Sequence, residues 1–264
     1  MGRKNAPRRH GGRLLDAVRD ELGLVEVVQH GDRRSLHFGS AIEQSSHVSA
    51  APDWLQFDYT RLLLLATAFP EVADDVLLLG LGAGTVARYL LRHRDDSLRL
   101  DAVEYREVVA DMAYRHFDLP VDPRLSVYIA RAGQFLEAFE QPRDVIIVDL
   151  YDAEGMNEEP GRVAFLDRCR ERLGSGGVMA INLWRTDPAE YEHMLLQLDR
   201  AFSGRILLAH ADEANTVAYC FAGALPDLGS LAVGKRVGER SKALAFDPTE
   251  FLAGIRRFPA GRKI

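Results

Sequence analysis

The feature that constrains this chain most is an apolar run that ends in a glycine-rich turn, Val76-Leu-Leu-Leu-Gly80-Leu-Gly82-Ala-Gly84. The run predicts a buried parallel strand, and glycines at its end let the backbone approach a ligand closely. Twenty residues after Gly84, Glu104 ends the next predicted strand, where a carboxylate can accept both hydroxyls of a ribose. The sequence therefore predicts an α/β domain that binds a nucleoside.

The spacing of the glycines narrows the class of nucleoside. A dinucleotide fingerprint would place its third glycine at the position of Thr85, whereas this chain reads Gly80-x-Gly82-x-Gly84. This spacing favours S-adenosylmethionine chemistry over NAD chemistry. The structural alternative is a tight strand-to-helix turn that binds nothing, because short glycine patterns also occur by chance.

Composition limits the class of protein. With 264 residues, 47% of them hydrophobic, the chain suffices for one large α/β domain, or for one with a small appendage. A formal net charge of -6 argues against general nucleic-acid binding. The first thirteen residues are nevertheless basic, with Arg3, Lys4, Arg8, Arg9 and Arg13, and we expect them to be a disordered start.

The sequence lacks membrane-targeting segments and metal-binding cysteine motifs. No stretch of the sequence has the length and apolar character of a membrane span or a signal peptide, so we expect a cytoplasmic protein with no membrane contact. Cys169 and Cys220 lie far apart without a CxxC pattern or histidine-rich neighbours. We expect both to be packing residues, and we assign no metal.

The order of the predicted elements indicates an α/β fold. Segments 24–28 and 35–38 alternate like antiparallel strands. From residue 76 onward, apolar strands alternate with helical periodicity, which predicts a parallel sheet. We expect a basic start and a small β-stranded domain in residues 1–56, a Rossmann-like nucleoside-binding domain in 57–225 and a C-terminal extension in 226–264.

A second group of chemical residues follows the most apolar predicted strand, 144–148. Asp149 and Asp152 come directly after it, at the edge of an open α/β sheet where ligands bind. Carboxylates there can attract a cationic amine and accept its proton as the amine becomes a nucleophile. The alternative is a turn or a helix cap that ends the strand, which is the simpler interpretation for Asp152 alone.

Taken together, the motifs resemble those of the spermidine synthases, the polyamine aminopropyltransferases, from about Leu36 to Ala222. The residues that carry the resemblance occur in the family's order: Gln44, Tyr59, Gly80-Leu-Gly-Ala-Gly84, Val103-Glu104, Asp149-x-x-Asp152 and Gly176-Gly177. The resemblance implies a Rossmann-like, S-adenosylmethionine-dependent methyltransferase fold after a small β-rich N-terminal domain. It also implies transfer of an aminopropyl group from decarboxylated S-adenosylmethionine to a diamine or polyamine, with release of methylthioadenosine.

The resemblance assigns a role to each matching residue. Asp149 would be the base beside the attacking amine, and Gln44, Tyr59 and Asp152 would help to hold donor and acceptor. The cofactor-binding set would be Gly80, Gly82, Gly84, Glu104, Arg131 and Ala132. The expected partners are a cationic small-molecule amine and a second copy of the chain in a homodimer.

The chain departs from the family pattern at two positions that bear on the donor. Ala83 stands where the family has an acid that grips the donor's ammonium, and Arg131 stands where it has an aspartate on the adenine amino group. Two alternatives therefore stay open beside aminopropyl transfer. One is a methyltransferase that uses intact S-adenosylmethionine, and the other is a non-catalytic binding protein that keeps the fold.

Overall fold

The computed structural model describes residues 8–151, 159–211, 214–229 and 249–258, together with residues 235, 237–239 and 246. These residues form a small antiparallel sheet of five strands and a mixed sheet of eight strands with helices on both faces. The predicted α/β class, with a β-rich N-terminal unit, is confirmed.

The first sheet is a meander of consecutive antiparallel strands. Its strands are β1 (Arg8–Arg9), β2 (Gly12–Asp20), β3 (Gly23–His30), β4 (Arg33–His37) and β5 (Glu43–Val48). Short turns join β2 to β3 and β3 to β4, and a glycine with a positive φ angle stands at each: Gly23 begins β3 after the first turn, and Gly31 lies in the second.

The second sheet has the strand order β13-β11-β12-β10-β9-β6-β7-β8. Its strands are β6 (Asp75–Leu79), β7 (Arg99–Glu104), β8 (Leu125–Ile129), β9 (Arg143–Val148), β10 (Leu173–Trp184), β11 (Ile206–His210), β12 (Asn215–Phe221) and β13 (Arg256–Arg257). The five strands from β10 to β8 are parallel, and β12, β11 and β13 continue the sheet antiparallel. The carboxyl ends of β9, β6, β7 and β8 therefore lie side by side at one edge.

Helices cover both faces of this sheet, which explains why its central strands are apolar throughout. Leu78 and Ile147 pack into one core, whereas Leu77 and Ile146 pack into the other, so successive residues of a strand are all buried. The helices are α1 (Asp58–Leu65), α2 (Thr85–His93), α3 (Glu107–His116), α4 (Ala132–Ala138), α5 (Val163–Glu171), α6 (Pro188–Phe202) and α7 (Thr249–Leu252). Among the described residues, no helix is both long and apolar enough to cross a membrane.

The prediction of a disordered start is wrong for its described part. Arg8 and Arg9 form β1, and Arg13 lies in β2 opposite Gln29. The guanidinium of Arg9 also forms an ion pair with the buried carboxylate of Glu26. Strand pairing and this ion pair order a segment whose composition alone suggested a free basic tail.

The large sheet and its cores have three further features, which are the start of β10, two buried cysteines and an added edge strand. β10 begins at Leu173, runs through the glycines of 174–177 and is irregular in its pairing with β9 between Leu173 and Val178. Cys169 and Cys220 are buried free thiols in one hydrophobic core, as predicted. Of the C-terminal segment, β13 adds an edge strand beside β11.

The first sheet packs on α3 and the neighbouring turns. An apolar cluster fills the contact, with Val25, Val27 and Leu36 on one side and Val109, Met112 and Phe117 on the other. Polar contacts surround this cluster. Arg106 forms an ion pair with Asp20 at 2.7 Å, and hydrogen bonds join His116 to Asp16 at 2.8 Å and His47 to Asp118 at 2.9 Å.

Candidate active site

A cavity of about 470 Å³ lies between the first sheet and the carboxyl ends of β6, β7, β9 and β10. The first sheet contributes Gln44 and its neighbours on β5, and the second contributes the glycine turn, Glu104 and Asp149. Tyr59 at the start of α1 also lines it. Ligand sites in proteins commonly have this size and lie at this edge of an open α/β sheet.

The glycine turn brings backbone close to the cavity. Gly80 has a φ angle of 98°, and a Cβ atom there would overlap the backbone carbonyl of Asp149. Gly82 has a φ angle of 53°, and a Cβ there would meet no neighbour within 4 Å. Gly80 is thus required by backbone packing, whereas Gly82 leaves open space toward the cavity that both residues line.

Gly84 and Ala132, both predicted to contact a cofactor, are not among the residues that line the cavity. Gly84 is the N-cap of α2 in a left-handed conformation, with a φ angle of 74°. Ala132 begins α4 and is buried in the second core of the large sheet. Their places in the structure serve the turn and the packing of the helix.

Glu104 ties the glycine turn to the end of β7. One carboxylate oxygen accepts hydrogen bonds from the backbone amides of Leu81 and Gly82, each at 3.3 Å. The other oxygen accepts from the backbone amide of Arg106 at 2.9 Å. Burial raises the pKa of Glu104, and the backbone hydrogen bonds act in the opposite direction. The carboxylate also faces the cavity, where it can accept from ligand hydroxyls.

Asp149 follows β9 and is held by a chain of amide hydrogen bonds. The side-chain amide of Asn182 donates to Asp149 at 3.0 Å, and that of Asn215 donates to Asn182 at 2.9 Å. Because Asn215 donates to the carbonyl oxygen of Asn182, the amide nitrogen of Asn182 is turned toward Asp149. The hydroxyl of Tyr151 adds a bond to the backbone carbonyl of Asn182 at 3.0 Å.

The environment of Asp149 makes it a candidate proton acceptor. Burial raises the pKa of this carboxyl from 3.8 to about 6, while the hydrogen bond from Asn182 lowers it. A carboxyl group with this pKa is ionised at neutral pH and still holds a proton more strongly than an ordinary aspartate. Geometry and charge together suit general-base catalysis at this position.

Aromatic side chains line the cavity around Asp149. The rings of Tyr151 and Trp184 lie 5.0 Å apart, and those of Phe57 and Tyr59 are stacked at 5.6 Å. All four residues line the cavity. Such walls suit an alkyl amine, since they contact methylene groups and the ring faces attract an ammonium.

Arg131 lies at the other end of the cavity, between β8 and α4. Its guanidinium carbon is 4.1 Å from the ring centre of Tyr105, and it donates to the Tyr105 hydroxyl at 2.8 Å. The structure thus brings Gln44, Tyr59, Gly80, Gly82, Glu104, Arg131 and Asp149 to one cavity. Asp152 lies outside the described residues.

Ala83 does not face the cavity. Its side chain is fully buried in the apolar cluster between the first sheet and α3, near Val27 and Phe117. A carboxylate at this position would be enclosed by hydrocarbon in this chain.

The sequence did not single out several cavity residues that the structure supplies. Asn182 and Asn215 lie on adjacent strands, and only the pairing of β10 with β12 shows that they meet. Tyr105 directly follows Glu104, a signal that was available. Among the described residues, no group of three or more His, Cys, Asp or Glu side chains is arranged to hold a metal ion.

Comparisons with known proteins agree with this geometry. The sequence profile of the spermine/spermidine synthase domain matches residues 57–207. A polyamine aminopropyltransferase of Neisseria meningitidis is 29% identical over 254 residues, which cover 94% of this chain and 95% of that protein.

Solved structures show the same fold. A spermidine synthase in complex with the transition state analogue AdoDATO superposes with a TM-score of 0.73 at 17% identity, covering 94% of this chain and 90% of that one. Human methyltransferase-like protein 13 in complex with SAH gives a TM-score of 0.61 at 20% identity, covering 74% and 98%. The chain has the methyltransferase-like fold, and it belongs to the spermine/spermidine synthase family.

Proposed function

We propose that this protein transfers an aminopropyl group from decarboxylated S-adenosylmethionine to a diamine or polyamine. The observation that carries the proposal is Asp149, a carboxyl group with a pKa of about 6 on the wall of a cavity that also contains Glu104. Membership of the family and the Neisseria relative support the same reaction.

The reaction needs a base because an ammonium has no lone pair. The amine nitrogen forms a bond to the carbon beside the sulfonium while the bond from that carbon to sulfur breaks. The electron pair of the broken bond passes to sulfur, which leaves as the neutral thioether of methylthioadenosine. The proton released from the nitrogen goes to Asp149, whose raised proton affinity suits this step.

The residues present fit a nucleoside donor, with one exception. Glu104 can accept from the ribose hydroxyls, and Gly82 leaves space for the ligand against the backbone. The donor's ammonium lacks the acid expected at Ala83. Glu43 also lines the cavity, but its carboxylate is already paired with Arg33 at 2.5 Å. Asp149 therefore provides the carboxylate nearest to the reacting end of the donor in this proposal.

Methyl transfer from intact S-adenosylmethionine is less well supported. That donor carries a carboxylate, which calls for a cationic partner near its methionine end. Arg131 lies at the end of β8, three strands from Asp149, and Arg106 is paired with Asp20. Neither arginine is placed beside Asp149 to receive that carboxylate.

Mass spectrometry of reaction mixtures tests the proposal. Purified protein is incubated with decarboxylated S-adenosylmethionine and a panel of diamines and polyamines, with intact S-adenosylmethionine in a parallel set. We expect methylthioadenosine and a lengthened polyamine in the first set only. Methylated product in the second set, or no product with any amine while positive controls react, would contradict the proposal.

A pair of variants locates the reaction at the cavity. We expect Asp149→Asn to lose turnover while it still binds methylthioadenosine. Asp144→Asn makes the same change at the opposite end of β9, where the side chain accepts from the backbone of Asp74 and Asp75, and should keep turnover.

We also propose a cytoplasmic location and a homodimer for this protein. Light scattering of the purified protein tests the homodimer.

A further inference from the structure

Arg131 is a charged group in the cavity that the proposed reaction does not use. Its guanidinium offers only N–H donors, and within the part of the chain that the structure describes its contacts are the ring and hydroxyl of Tyr105. No carboxylate of the described residues forms an ion pair with it. A ligand that reaches Arg131 therefore meets a cation that lacks an acidic partner there.

The order of the strands fixes which part of a nucleoside reaches Arg131. Asp149, Glu104 and Arg131 follow β9, β7 and β8, and β6 and β7 separate β9 from β8. With the ribose at Glu104, the sulfur faces Asp149, because the attacking amine must reach the carbon beside it. The base is attached to the opposite side of the ribose, so it extends toward β8 and Arg131. This step rests on the proposed function.

Hydrogen-bond chemistry then decides which bases suit Arg131. A 6-aminopurine presents N–H donors at position 6, which cannot pair with a guanidinium. A 6-oxopurine presents the oxygen at position 6 beside the ring nitrogen N7, and an arginine can donate to both at once. The 6-amino group gains nothing from this side chain, whichever edge of the base faces it.

We propose that Arg131 reads the acceptor edge of the purine, so that this site binds 6-oxopurine thionucleosides at least as tightly as 6-aminopurine ones. Two contacts with Tyr105, the ring face at 4.1 Å and the hydroxyl at 2.8 Å, limit the orientations of the exposed guanidinium, so that it can select between bases by direction as well as by charge. The nucleosides that this site accepts thereby extend beyond adenine nucleosides.

Calorimetric titration with two stable thionucleosides, methylthioadenosine and methylthioinosine, tests the inference. We expect the wild-type protein to bind methylthioinosine as tightly or up to about a hundredfold more tightly, the upper range of one two-bond arginine contact. Arg131→Asp replaces donors by acceptors and should reverse the preference toward methylthioadenosine. Aspartate also suits this position, which is the N-cap of α4, so the variant should fold.

Two further variants separate recognition from general effects of charge. Arg131→Gln, which is neutral and carries both a donor and an acceptor, should reduce the preference without reversing it. Arg99→Asp makes the same charge change at the start of β7, the opposite end of the sheet, where the side chain is 70% exposed. That control should keep the wild-type ratio of the two affinities.

The outcomes distinguish this inference from the proposed function. A measurable wild-type preference for methylthioadenosine, or a ratio that Arg131→Asp leaves unchanged, would overturn the inference. The proposed function would survive either result, provided that aminopropyl transfer is observed. Failure of the wild-type protein to bind either nucleoside would overturn both.

Discussion

At neutral pH, replacing Asp149 by asparagine should inactivate the protein and at the same time make it more stable. The variant loses the proton acceptor, so turnover should fall by at least about a hundredfold, the lower range for general-base catalysis. Asparagine keeps an oxygen that can accept from Asn182, so the amide chain behind it is retained. The substitution removes a negative charge that burial leaves poorly solvated.

The gain in stability follows from the two pKa values of Asp149. Its pKa is about 6 in the folded protein and its ordinary value is 3.8, so the folded state binds this proton more tightly than the unfolded state does. Ionisation therefore lowers the free energy of unfolding as pH rises from about 4 to about 6, and the full cost is present above that range. A difference of about two pKa units corresponds to at most about 3 kcal/mol.

Urea unfolding across this pH range measures the effect. The stability of Asp149→Asn relative to wild type should increase between about pH 4 and pH 6 and then stay nearly constant. A stability difference that does not vary with pH would refute the reasoning about Asp149, as would a variant that keeps full turnover.

Three other variants test separate parts of the site. Asn182→Leu removes the donor to Asp149, so the acidic limb of the pH–rate profile should move up by about one to two pH units. A hydrogen bond to a charged group is worth about 1.5 to 3 kcal/mol, which sets this magnitude. An unmoved limb would contradict the role of Asn182. Gly80→Ala should lower the melting temperature far more than Gly82→Ala, because a Cβ atom would meet the backbone of Asp149 only at Gly80. Equal effects of the two variants in thermal unfolding would argue against this packing. Ala83→Asp should lower the free energy of unfolding by several kcal/mol without tightening donor binding, because the new carboxylate would lie in an apolar cluster. A stable variant with higher donor affinity would show that this side chain reaches the cavity.

The central sheet and half of the site could be predicted from local patterns. Apolar runs such as 76–79 and 144–148 are buried on both faces, so their composition alone indicates central strands. Gly80, Glu104 and Asp149 stand at strand ends, where topology brings side chains to one edge whatever the details of packing. The cavity that contains all three follows from that rule.

The remaining features depend on contacts between distant parts of the chain. The burial of Ala83 needs the first sheet to pack on α3, and the meeting of Asn182 and Asn215 needs the register of β10 against β12. The strand pairing of Arg9 and its ion pair with Glu26 order a basic segment that still lies at the surface. No pattern within a short window contains this information.

The packing of the first sheet on α3 decides which part of the chain can act alone. The family profile begins at residue 57, yet Gln44 lines the cavity from β5, and Arg106 at its edge is held by Asp20. A fragment that began at residue 57 would lack one wall of the cavity and would expose Met112 and Phe117 to water. The shortest fragment able to recognise a ligand must therefore start before the segment by which the family is recognised.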